Sequence, residues 1–119
     1  MDITKLFEGL TDPRDQSGQI YPFENLMLIA VCGAFAGIDS FVGIEDYAST
    51  HKDFFDQFFK TSYFPRHDTF NRLFGALDMI EFEQWFRKKA QAVVDFVSTH
   101  DPNPSVFNHI AVLQSPTTL

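Results

Sequence analysis

Residues 23–37, which read FENLMLIAVCGAFAG, decide the fold of this chain. After Glu24 and Asn25 the segment holds no charged or amide side chain, so a helix formed here has no polar face. Helices that are apolar all round are buried centrally in globular proteins. Pro22 suits the first turn of such a helix, and Gly37 supplies a natural stop. We therefore expect a central helix over residues 23–36, with the rest of the chain packed around it.

The segments on both sides of this helix space their apolar residues as helices do, and none shows sustained alternation of period two. The predicted helices are residues 3–10, 40–49, 51–59, 68–77 and 80–97. Ser40, Asp68 and Asp78 are the expected N-caps of the second, fourth and fifth of these. The predicted fold is all-α, a compact bundle of five or six helices over residues 1–98, followed by a short irregular tail over residues 99–119.

Aromatic side chains dominate the expected core, because 15 of the 119 residues are phenylalanine and each ring buries a large area. The residues expected to face inward are Phe41, Ile44, Tyr47, Ala48, Phe70, Leu73, Phe74, Leu77, Phe82, Phe86, Ala90, Val93 and Val97. Four further rings at residues 54–59 form one broad stripe at spacing four. If a partner normally covers that stripe, its loss leaves apolar surface, and this predicts self-association.

One cysteine and four histidines limit the redox and metal chemistry of the chain. Cys32 lies in the apolar helix, so we expect it in the core rather than as a nucleophile, and one cysteine excludes an internal disulfide. The histidines lack metal-ligand spacing, and we expect no metal, cofactor or small-molecule substrate. The N-terminal residues lack a signal peptide's apolar centre, and the 13 apolar residues at 26–38 are too few to span a bilayer. These features predict a cytoplasmic protein without membrane contact.

The net charge of −7 is unevenly distributed along the chain. Residues 1–59 hold 3 basic and 10 acidic groups, whereas residues 60–92 hold 6 basic and 4 acidic groups. An acidic protein repels the phosphate backbone at long range, which argues against avid non-specific DNA binding. A local basic face in the second half of the chain is still compatible with this balance.

Four pieces of the sequence, in their order and spacing, resemble the N-terminal domain of the bacterial H-repeat-associated transposases, a family of DDE-type insertion-sequence enzymes. Together they cover roughly residues 5–97, and the segment from His67 to Phe70 is the most specific. The pieces are Asp12-Pro13-Arg14 with Gly18 and Tyr21-Pro22; the apolar helix ending in Gly37 with Asp39-Ser40; residues 44–47; and residues 65–72 with Phe74 and Leu77-Asp78 behind them.

The resemblance implies that an RNase-H-like catalytic domain comes next, with three acidic metal ligands, the first on a strand reading roughly Ile-Ala-Ile-Asp-Gly-Lys. Residues 110–112 read IAV, but Leu113, Gln114 and Ser115 follow where the aspartate belongs. Two-metal phosphoryl chemistry depends on such carboxylates. We therefore expect no enzymatic activity, and we interpret residues 99–119 as a remnant of the junction, in which residues 107–112 form a short strand or nothing ordered.

Two segments carry the candidate DNA-binding residues. The candidates are Arg66, His67, Thr69, Asn71 and Arg72 in the first segment, and Arg87, Lys88 and Lys89 in the second. Outward basic and amide side chains suit phosphates and base edges. The alternative is that both segments are only the solvated faces of amphipathic helices. The loop of about eight residues before His67 also exceeds the three or four of a standard helix-turn-helix.

These observations support two functional hypotheses of different kinds. The first is a truncated, transposase-derived accessory domain that binds the DNA of transposon ends weakly and without catalysis. The second is a protein-interaction module that pairs with itself or inhibits intact transposase. A degenerate remnant with no selected role is the remaining alternative.

Overall fold

The central element of the computed structural model, which describes residues 3–15, 21–59 and 64–100, is helix α1 (Phe23–Phe35). All of its residues from 25 to 33 are buried, as the absence of a polar face predicts. The helix ends in a Schellman turn, in which Gly37 adopts φ 89° and the N–H of Ile38 donates to the carbonyl of Gly33 at 3.0 Å. The prediction that Gly37 ends the helix is therefore confirmed.

Four more α-helices and one 3₁₀ helix surround α1. They are the 3₁₀ helix Thr4–Phe7, α2 (Phe41–Thr50), α3 (Lys52–Phe55), α4 (His67–Ala76) and α5 (Met79–His100). Helix α2 packs against both α1 and α4, while the 3₁₀ helix contacts α1 and α5. The described ranges contain no strand, and the predicted all-α fold of five or six helices is confirmed. Residues 101–119, including the predicted strand, lie outside the described residues.

Two of the predicted N-caps are confirmed. The hydroxyl oxygen of Ser40 accepts a hydrogen bond from the Gly43 N–H at 3.0 Å. At the start of α5, Asp78 Oδ1 accepts from the N–H groups of Ile80 and Glu81 at 3.0 and 3.2 Å. Both caps satisfy backbone donors that have no partner within their helix. Helix α5 then runs three residues beyond the predicted end at residue 97.

The aromatic stripe at residues 54–59 lies inside the domain. Phe54, Phe55 and Phe59 are buried, and the ring of Phe58 packs against Phe96 of α5 at 5.2 Å between centroids. The stripe is therefore part of the core and does not supply the uncovered surface on which the prediction of self-association was based.

Trp85 is a core residue that the helical spacing did not predict. Its indole Nε1–H donates to the carbonyl of Leu6 at 2.9 Å, and its ring stacks on Phe7 at 5.3 Å between centroids. These contacts fasten the N-terminal 3₁₀ helix to α5. Phe82 and Phe86, which were expected to face inward, are only half-buried. No helix in the described part of the chain is both long and apolar enough to cross a membrane.

Candidate functional site

Helix α4 has one buried and one exposed face. Phe70 and Leu73 are almost fully buried, and they hold the helix against the core. The opposite face carries four residues at helical spacing i, i+3, i+4 and i+7, all exposed to solvent. These residues are Asp68, Asn71, Arg72 and Gly75. We call this set the outer face of α4.

A carboxylate from α2 holds the N-terminus of α4. Glu45 Oε1 accepts a hydrogen bond from the His67 N–H at 2.7 Å and lies 3.0 Å from His67 Nδ1, while His67 Nε2 lies 3.3 Å from Asp68 Oδ1. The bond from the His67 N–H lowers the pKa of the Glu45 carboxyl, and the bond to the His67 side chain adds to this. The carboxylate also complements the positive end of the helix dipole.

The prediction that Asp68 caps α4 is wrong. The N-cap position is Arg66, which makes no capping bond with its side chain, and Asp68 lies in the first turn. Glu45 accepts from the helix N-terminus instead, from 22 positions earlier in the chain. Spacing along the chain gives no signal of that contact, because it depends on how α2 and α4 pack.

The candidate DNA-binding residues around α4 differ in their exposure and in their contacts. Asn71 and Arg72 lie on the outer face, and Arg66 is exposed at the start of the helix. His67 instead contacts Glu45, and Thr69 is half-buried beside the buried face. Among the ion pairs of the described residues none involves Arg66 or Arg72. Both guanidinium groups are therefore without a direct ion pair among these residues, although the charge of Arg66 helps to lower the pKa of Glu45.

The basic residues 87–89 of α5 lie close to acidic side chains. The guanidinium of Arg87 pairs with the Glu83 carboxylate one turn earlier at 2.6 Å. Lys88 and Lys89 line a cleft of about 110 Å³ together with Glu8 and Glu81. Each cation of the run thus has a carboxylate nearby, which reduces the attraction that the run offers to a phosphate.

An apolar groove lies between the end of α1, the start of α2 and α4. Its volume is about 270 Å³, and its walls are mostly aliphatic and aromatic. The lining residues are Ala30, Ala34, Ile38, Asp39, Ser40, Phe41, Ile44 and Phe74. Phe41 and Phe74, which were expected to face inward, are only half-buried here, since spacing predicts which side of a helix faces inward but not how completely its neighbours cover it.

Comparisons with known proteins match most of this helical domain. The family model described as DDE_Tnp_1-associated matches residues 4–90. An uncharacterized protein from the dhlA 3′ region of Xanthobacter autotrophicus is 29% identical over 82 residues, which is 67% of this chain and 28% of that protein. The H repeat-associated putative transposase YhhI of Escherichia coli K12 is 28% identical over 91 residues, covering 72% of this chain and 24% of the relative.

A shorter relative is similar over nearly its whole length. The inactive transposase YbfQ of Escherichia coli K12 is 30% identical over 78 residues, which is 61% of this chain and 92% of that protein. No solved structure matches the chain. The chain spans about a quarter of the length of the first two relatives, so it corresponds to one part of those proteins. The family match covers 4–90, which includes α1 to α4 and the first half of α5. The chain belongs to the DDE_Tnp_1-associated family, as an N-terminal transposase-associated domain.

Proposed function

We propose that this domain is a non-catalytic accessory domain of a transposase system, which binds DNA of the element ends weakly through helix α4. One observation carries the proposal. Arg72 is exposed on α4 next to Asn71, Arg66 is exposed at the N-cap of the helix, and neither arginine makes an ion pair with any of the described residues. Elsewhere in the described part of the chain, several cations are paired with nearby carboxylates, such as Arg14 with Asp12.

The outer face of α4 has the chemistry that DNA recognition uses. An asparagine amide can bond adenine N6 and N7 together, and an arginine can bond guanine or a phosphate. Asn71 and Arg72 provide these groups on adjacent positions of one helix. One turn later Gly75 has no side chain, and nothing lies within 4 Å of the position that a Cβ would take. The backbone there is therefore open to close approach by a groove wall.

The position of α4 is fixed firmly enough for such a role. Its buried side packs on α2, and the bonds from Glu45 to His67 hold its first turn. His67 consequently acts in this proposal by anchoring α4 and not by contacting DNA. A recognition element on a supported helix loses less conformational entropy on binding than one on a loop.

Charge limits the affinity of this interaction. The chain has a net charge of −7, and Asp68 lies on the outer face itself. Favourable contacts from two arginines therefore work against repulsion from the rest of the molecule. We expect a dissociation constant on the order of 10 µM at low salt, within the range of weak, largely electrostatic binding.

The non-catalytic part of the proposal has separate support. The matching family model is of a domain associated with DDE transposases. The similarity to a protein named an inactive transposase, over 92% of that protein, fits a helical domain that exists without an accompanying activity. In the proposal, all of the function of the domain consists of binding.

Fluorescence anisotropy with labelled element-end DNA at low salt tests the proposal. We expect Arg72→Ala and Asn71→Ala each to weaken binding by roughly tenfold, the cost of one good contact to a base or a phosphate. Lys5→Ala is the matched control, because it removes one exposed cation from the 3₁₀ helix, away from α4. Absence of binding at 100 µM, or equal losses in Arg72→Ala and Lys5→Ala, would refute DNA binding through α4.

A further inference from the structure

Five half-buried phenylalanine rings form a continuous row that connects four helices. Neighbouring centroids are 5.9, 6.1, 6.0 and 5.5 Å apart. In order along the row the rings are Phe41 of α2, Phe74 of α4, Phe82 and Phe86 of α5, and Phe35 of α1. Two of these rings, Phe41 and Phe74, also line the apolar groove. We call the five rings and the groove together the aromatic surface.

One exposed side chain extends this surface at its edge. Met79 is 55% exposed and precedes Phe82 and Phe86 by three and seven residues, so all three lie on one side of α5. Val42 of α2 is 56% exposed, but it follows Phe41 directly and therefore projects from a different side of its helix. A contiguous apolar patch on a monomer commonly marks a site of protein contact.

The groove has one polar feature that a partner can use. Ser40 already accepts the N–H of Gly43 as the α2 cap. Asp39 is exposed at the groove, and none of the ion pairs among the described residues includes it. The complementary ligand is therefore a protein segment that inserts a large apolar side chain and carries a lysine or arginine close to it.

The small area of the aromatic surface and the negative charge of the chain disfavour a second copy of this chain as the binding partner. Five half-buried rings and the exposed Met79 offer on the order of a few hundred Å², whereas a stable pairing of separate proteins buries roughly 800 Å² on each partner. Two copies would also each bring a net charge of −7 to the contact.

A partner joined to the domain in one chain does not need so large a surface. The similar YhhI protein is about four times as long as its matching region, which covers 24% of it. Covalent attachment gives two parts of a chain an effective concentration in the millimolar range, so a modest contact suffices to hold them together. We propose that the aromatic surface docks the part of a family transposase that lies outside the segment matching this domain. Docking leaves Arg72 accessible, because Arg72 lies on a different side of α4 from Phe74, whereas Asn71 precedes Phe74 by three residues and borders the aromatic surface.

The first test measures binding of this chain to YhhI from which the matching segment has been removed. The chain carries an N-terminal dye, and circular dichroism establishes beforehand that the shortened YhhI is folded. Because the two parts are not joined here, we expect weak but saturable binding, with a dissociation constant on the order of 100 µM. Met79→Glu should weaken it at least roughly tenfold, since the new carboxylate must be desolvated against apolar partner atoms. Asp39→Asn should weaken it by a smaller factor, since it removes the negative charge at the groove.

Ile80→Glu is the matched control. Ile80 is 72% exposed and adjacent to Met79, but it does not share the i, i+3, i+7 spacing of the row. Both substitutions place a glutamate in the first turn of α5, where the helix dipole favours it, so neither threatens the fold. We expect Ile80→Glu to change the affinity less than about twofold. Equal losses in both variants would refute docking through the aromatic surface.

A chimera provides a second test, which applies if the shortened YhhI does not fold alone. In it, this chain replaces the matching segment of YhhI, and docking in cis gives one cooperative thermal transition. We expect Met79→Glu to split that transition into two and Ile80→Glu to leave it single. Separate transitions in the unmodified chimera overturn the proposal. Sedimentation of the chain alone tests the rival partner: a dimer that Met79→Glu dissociates would assign the surface to a second copy.

Discussion

Glu45 shows how one side chain can organise a neighbouring helix. Its carboxylate accepts from both the backbone N–H and the side chain of His67, and this joins α2 to the start of α4. Orphan N–H groups at a helix N-terminus need such an acceptor, and a negative charge near that end is favourable. We expect Glu45→Ala to lower the midpoint of urea unfolding clearly more than Asp46→Ala, which removes an exposed acid from the next position of α2.

The pKa of Glu45 predicts a pH dependence for the same contact. Since the folded state lowers this pKa, the carboxylate stabilises the fold above the unfolded value of about 4 and loses that effect as the pH falls through the lower, folded value. The difference in unfolding midpoint between wild type and Glu45→Gln should therefore be largest near neutral pH and shrink below about pH 4. A difference that stays constant from pH 7 to pH 3 would contradict this assignment.

At the scale of helices, the sequence predicts what is encoded locally. Ser40, Asp78 and Gly37 act where they were expected, because a cap or a left-handed stop depends on residues within one turn. The wrong cap at Asp68 and the missed Trp85 both concern contacts between distant segments. Periodicity identified the inner stripe of α4, but it did not show that Phe74 is left half-exposed.

Two glycines with opposite surroundings test the packing of these helices. A Cβ on Gly33 of α1 would overlap Cδ1 of the buried Ile44 on α2, whereas a Cβ on Gly75 of α4 meets nothing within 4 Å. Crowding of that kind costs about 1–3 kcal/mol, and helix propensity favours alanine by about 1 kcal/mol. We expect Gly33→Ala to destabilise the domain by about 1 kcal/mol and Gly75→Ala to stabilise it by up to about 1 kcal/mol. Denaturant unfolding measures both, and a stabilising Gly33→Ala would show that α1 and α2 are less tightly packed than the structure describes.

At the scale of the whole molecule, two surfaces of different chemistry share one small domain. The outer face of α4 carries Asn71 and Arg72, while the aromatic surface includes Phe74, which lies next to Asn71 and away from Arg72 on the same helix. The sequence pointed to the first surface through its basic and amide residues. It gave no sign of the second, because all five rings of the row have the spacing of core positions and only the packed structure leaves them partly uncovered.

The salt dependence of DNA binding distinguishes how many cations of the whole molecule take part. If only Arg66 and Arg72 neutralise phosphates, the logarithm of the association constant should fall against the logarithm of the salt concentration with a slope of about −2, which weakens binding roughly tenfold between 50 and 200 mM salt. Arg66→Ala should reduce that slope to about −1, and Lys5→Ala should leave it unchanged. Participation of Lys88 and Lys89 would steepen the slope to about −4, and we do not expect this because Glu8 and Glu81 line the same cleft. Anisotropy titrations at four salt concentrations measure the slope, and a value near zero would exclude phosphate contacts altogether.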